Sequence, residues 1–102
     1  MKYQLVLQFP GSAIDDFDHL IAIEDKLIEV MGSAHIVDGH DIGSGESNIF
    51  IHTNDPHSAF ARAKHIIDDL AIVQLRVAYR ELDGEKYQVI WPESFKGEFK
   101  VL

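Results

Sequence analysis

Histidines and the residues beside them are where chemistry would first be sought in this chain. There are six, at positions 19, 35, 40, 52, 57 and 65. Asp38, His40 and His52, with His35 or Asp41 nearby, make the best candidate metal set, since imidazole and carboxylate are the usual non-thiolate zinc ligands. A three-residue loop at Gly43–Gly45 would pair His40 with Asn48 and Ile36 with His52. The two imidazoles then stand four residues apart along a strand, about 13 Å at ~3.3 Å per residue. Ligands must converge to about 2.0–2.1 Å from zinc, so this spacing argues against a metal, and nothing else implies a cofactor. Gly43-Ser44-Gly45 has the composition of a phosphate loop, but a strand follows it where a helix N-terminus is needed, with no Lys near and Asp41 and Glu46 on its flanks. Ser44, Ser47 and Thr53 lack the Gly-x-Ser-x-Gly elbow of a nucleophile. These residues name no reaction, and the reading leans away from an enzyme.

The elements that hold these residues can be read in order. Tyr3 to Phe9 alternates as a half-buried strand and stops at Pro10-Gly11. Ser12 stands as an N-cap, with Asp15 and Asp16 in the first turn. Ile14, Phe17, Leu20, Ile21, Leu27, Ile28 and Met31 then recur at helical spacing up to Gly32. Ala34–Ile42 and Glu46–Thr53 read as a hairpin. Asp55-Pro56 caps a second helix with the stripe Ala59, Phe60, Ala63, Ile66, Ile67 and Leu70. Leu75–Glu81 and Lys86–Trp91 flank Asp83-Gly84, a strong hairpin signal, and Pro92 ends the last strand.

One hundred and two residues accommodate one domain, with a core over about 2–91 and a tail over 92–102. The chain has no cysteine, which removes disulfides and thiolate sites. No apolar run reaches the ~18–20 residues that span a bilayer, and the start reads as a strand, not a signal peptide. A cytoplasmic location is the default expectation. The net charge is −8. Through Asp55 there are ten acidic and two basic residues, and from Pro56 onward seven of each. That balance argues against nucleic acid, whose phosphates require Lys and Arg. It suits solubility, or steering towards a basic protein.

The order strand, helix, strand, strand, helix, strand is the split βαβ pattern. It resembles the ferredoxin-like fold, an α+β two-layer sandwich of βαββαβ order, here over residues 2–82 and extended by one C-terminal hairpin strand. The run from Asp38 to Pro56 is similar to that of small stand-alone bacterial proteins of unknown function, a likeness that carries no activity across.

Right-handed crossovers put both helices on one side of such a sheet and leave the other open. A two-residue turn at Asp83-Gly84 pairs Arg80 with Tyr87, Ala78 with Val89, and Arg76 with Trp91. Leu75, Val77, Tyr79 and Ile90 then point to the core. The same parity turns Gln4, Val6, Gln8, Asn48, Phe50 and His52 to the open side. The candidate binding face is therefore Trp91, Arg76, Arg80, Tyr87, Phe50, His52, Asn48 and Gln4, a set rich in the residue types of binding hot spots. The alternatives are cover by the tail (Phe95, Phe99, Val101), a homodimer through this sheet, or a heterologous partner. Two functions stand against each other. One is a non-enzymatic acidic protein-interaction module, like the inhibitors of basic toxins or nucleases in size and charge. The other is a dimeric small-molecule-binding protein or enzyme with a pocket near His52 and Trp91.

Overall fold

The computed structural model describes residues 1–11, 17–43, 45–70 and 74–101. The elements are β1 (Tyr3–Pro10), α1 (Phe17–Met31), β2 (His35–Gly43), β3 (Glu46–Thr53), α2 (Pro56–Asp69), β4 (Arg76–Glu81) and β5 (Gln88–Trp91). They form an α+β domain with one antiparallel sheet of order β2-β3-β1-β4-β5. The expected cap at Ser12 and the first-turn acids Asp15 and Asp16 lie outside the described residues.

Three central strands keep the two-residue period of the pleat. Leu5 sits between Ile51 and Tyr79, and Leu7 between Ile49 and Val77. These residues, with Phe9 and Leu75, pack against Leu20, Ile23, Leu27 and Met31 of α1 and Ala59, Ala63 and Ile67 of α2. Both helices therefore cover one face. Each fully buried aliphatic side chain there is worth about 1.5–3 kcal/mol of transfer free energy, set against the entropy of ordering the chain. The helical stripe of α1 turns slightly from the expected one: Ile23 is buried, whereas Phe17 and Ile28 are exposed. Gly32, at φ 58°, ends α1 in the left-handed conformation that glycine adopts without strain.

Asp55 caps α2 as its sequence requires, its carboxylate accepting from the Ser58 N–H at 3.0 Å with Pro56 in the first turn. The same corner holds a buried histidine. His35 pairs with Thr53 across β2 and β3, and its Nδ1 lies 2.7 Å from the Thr53 hydroxyl, which also accepts from the Asp55 N–H. Arg62 reaches across from α2 to the carbonyls of Val30 and Met31, at 3.4 and 3.3 Å, and so satisfies the open end of α1.

Burial lowers the pKa of His35, the Arg62 charge lowers it further, and Asp55 offsets part of this. The native state thus favours neutral imidazole, while the unfolded chain takes up a proton near pH 6.5. In the window below that value the unfolded state binds more protons, so stability falls as pH falls until the native imidazole itself titrates. The urea midpoint is expected to drop between about pH 7.5 and about pH 5, and His35→Gln should make that drop smaller. An identical pH profile in the variant would rule out this account of the corner.

Candidate functional site

The face of the sheet away from the helices carries most of the expected binding residues, and the C-terminal segment lies across its middle. Val6, Ala78 and Phe99 form a second buried cluster, with Phe50, Tyr87, Val89 and Val101 packed against it. The Tyr87 and Phe99 ring centroids are 5.0 Å apart. Arg76 lies over the ring of Phe95 at 5.9 Å, so its cation–π partner comes from the tail. Of the alternatives for this face, cover by the tail is the one the structure displays.

Under the tail is a polar group. Gln8 and Asn48 are directly paired and almost wholly buried. The Gln8 amide donates to Asn48 Oδ1 at 3.1 Å, to Glu46 Oε1 at 3.2 Å and to the Lys100 carbonyl at 2.8 Å. Buried amides are tolerated because they are bonded in this way. Asn48 is thereby a structural residue, holding the Gln8 amide that ties the sheet to the tail.

Trp91 does not belong to this face. The sequence-derived register set it opposite Arg76, but Trp91 pairs with Val77, because the ladder shifts between Val77 and Ala78 and leaves Ile90 as an extra residue. A bulge of one residue sends every later side chain to the other side. Trp91 accordingly packs on α2, 6.1 Å from the Phe60 ring, with Lys64 Nζ 4.8 Å from its centroid. The joint pocket of His52 and Trp91 falls for the same reason, as they stand on opposite faces. The unbroken apolar run Val89-Ile90-Trp91 was the signal, since strict alternation cannot bury it on one side.

The Asp83-Gly84 turn also differs from the two-residue form. Residues 82–87 connect the strands, and the Gly84 N–H donates to the Glu81 carbonyl at 2.9 Å. Ala78 still pairs with Val89, as expected. Arg80 is spent inside this loop: its Nη1 donates at 3.1 Å to the carbonyls of Glu81, Leu82 and Gly84. Beside it lies an open depression of about 370 Å³, lined by Tyr3, Tyr79, Arg80, Lys86 and Gln88 among others. Across it the Tyr79 hydroxyl donates to Gln88 Oε1 at 2.9 Å.

A second bulge governs the histidines. Gly43 pairs with Glu46, so positions 44 and 45 alone join β2 to β3; His40 then meets Ile49, not Asn48. The register shifts between Val37 and Gly39, and Ile36 still meets His52. Gly39 has φ 155°, a value side chains rarely allow, and a glycine inside a strand is the sequence mark of such a site. In consequence His40 turns to the helix side, where its Nδ1 is 3.0 Å from Glu24 Oε2 and its ring stands edge-on to Phe17 at 5.6 Å. Asp38 turns the other way, its Oδ2 3.6 Å from His52 Nε2, at the end of the sheet where Gln4 pairs with His52 and Arg80. Two imidazole–carboxylate pairs result, one on each face, and the residues of the candidate metal set are divided between them.

Gln8→Ala should cost about 1–3 kcal/mol, because the Asn48 and Lys100 oxygens lose their donor in a buried site. It should also speed proteolysis within residues 93–98, which would distinguish release of the tail from general destabilisation. Unchanged cleavage kinetics there would remove the amide as the tail's anchor. Comparison of the chain with family models, with curated proteins and with solved structures gives no match.

Proposed function

We propose that this protein is a non-enzymatic interaction module that binds a basic protein partner through the acidic side formed by α1 and the β2–β3 hairpin. The observation that carries this reading is the placement of its charge. Asp18, Asp25 and Glu29 are exposed on α1, and Asp38 and Asp41 on β2. No Lys or Arg occurs between Lys26 and Arg62. Lys26 lies on α1 and Arg62 reaches its C-terminal carbonyls, while the other basic residues of the second half sit on α2, β4, the loop after it and the tail. A one-sided field of this kind raises association rates with an oppositely charged surface and suppresses like-charged ones.

The strand order β2-β3-β1-β4, with both crossover helices on one face, supports reading the domain as a ferredoxin-like sandwich to which β5 is added. That architecture hosts many activities, so the function rests on the surface and not on the fold. The tail over Val6 and Ala78 weighs against a homodimer through the sheet. A cysteine-free chain suits a cytoplasmic location. No helix among the described residues is long and apolar enough to cross a membrane.

The test is calorimetric titration with a Lys/Arg-rich polypeptide at about 50 mM and about 300 mM salt, where screening separates the regimes. Binding is expected to weaken at least about tenfold with salt and with the triple reversal of Asp18, Asp25 and Glu29 to Lys. Reversal of Glu81, Asp83 and Glu85, also exposed but on the opposite edge, should leave it nearly intact. Equal loss in the two triple variants would reduce the effect to net charge and defeat the reading.

A further inference from the structure

Resting on that reading, we infer that the outer edge of β2 at Gly39–Gly43 is a strand-addition site for an extended peptide in which basic and apolar residues alternate. Among the described residues β2 has β3 as its one strand neighbour, so its other edge presents unpaired backbone groups. Proteins close such edges with charged side chains (Lys above all), with Pro, with bulges or by making the strand short. The opposite edge follows this rule, since β5 has four residues and runs into Pro92. β2 is guarded less fully: it has nine residues and neither Lys nor Pro, its bulge lies at Asp38, and its exposed charges, Asp38 and Asp41, would attract a basic strand and not repel it. The bulge at Asp38 separates its first three residues from the arm Gly39–Gly43, which is the part left regular.

Side-chain placement along this arm defines the occupant. Ile42 is paired with Ser47 and lies on the helix side, 51% exposed, and Phe17, 54% exposed, stands over His40 on that same side. On the other side Asp41, paired with Asn48, and Asp38, beside His52, are exposed carboxylates. A strand added here would set every second residue next to Ile42 and Phe17 and the residues between them next to Asp41 and Asp38. Backbone pairing supplies affinity in this mode, and the alternate side chains supply selection. A second copy of this chain is the wrong occupant, because pairing β2 with itself brings carboxylate against carboxylate.

The full chain is titrated with the capped peptide Lys-Val-Lys-Val-Lys-Val-Lys, with a block peptide of the same composition, and with the Glu-for-Lys counterpart, while amide exchange is followed. The alternating basic peptide is expected to bind at least about tenfold more tightly than either control. It should slow exchange within Gly39–Gly43, and Ile42→Lys should abolish both effects. That position is half exposed, so the variant folds; Asp41→Lys gives an independent check from the acidic side. Equal binding of the block peptide, protection elsewhere, or indifference to both substitutions overturns the edge site. In those cases a Lys/Arg-rich polypeptide that still responds to charge reversal on α1 leaves the interaction reading standing. Failure of every basic probe removes both.

Discussion

The pleat allows a strand one residue per face in turn, and the placement of the histidines and of Trp91 comes from two places where that count is broken. The inner strands obey it. Leu5, Leu7, Phe9, Ile49, Ile51, Leu75 and Val77 all enter the helical core, and their neighbours all leave it. At each sheet margin one residue is inserted, Asp38 in β2 and Ile90 in β5. A bulge at an edge costs little pairing, because only one ladder is disturbed, yet it re-aims every side chain beyond it. His40 thereby reaches Glu24, Asp38 reaches His52, and Trp91 reaches α2.

The second face of the sheet shows how a polar surface becomes an interior. A monomeric antiparallel sheet covered on one side ordinarily leaves the other to water. Here a tail without regular structure lays Phe99 on Val6 and Ala78, and in doing so would strand the Gln8 and Asn48 amides. The Lys100 carbonyl and Glu46 carboxylate supply their partners. Apolar cover and polar satisfaction arrive together, and neither is favourable alone: an unsatisfied buried amide costs about as much as burying Phe99 returns.

The sequence was legible wherever a single period held. Both helices, the cap at Asp55, the stop at Gly32 and the inward set of the three inner strands follow from spacing and turn chemistry. The edges were not, because parity arithmetic carries one error forward through a whole strand. An ideal two-residue turn places Trp91 opposite Arg76, whereas the extra residue at Ile90 turns it to the helix side. In β2 the connection is one residue shorter than the expected three and the bulge offsets this, so Ile36 meets His52 as expected while His40 meets Ile49 and not Asn48. The partner of Arg80 was out of reach for another reason: a guanidinium bonded to three loop carbonyls depends on backbone positions that no residue pattern encodes.

Charge is where the chain departs from what stability alone favours. The last turn of α1 carries Glu29 and no basic residue, which is unfavourable at the negative end of a helix dipole. Neighbouring acids on the same helix repel it further. Arg62 relieves this from outside, spanning from α2 to the terminal carbonyls of α1. Replacing Asp25 or Glu29 by Lys would relieve it more directly and would touch no core residue, as both are exposed. Local arrangements that oppose the fold's own energetics tend to mark surfaces kept for another purpose. Here that surface adjoins the one sheet edge lacking Lys, Pro and brevity, so unfavourable electrostatics and an edge guarded by acids and a single bulge coincide on the same side of the molecule.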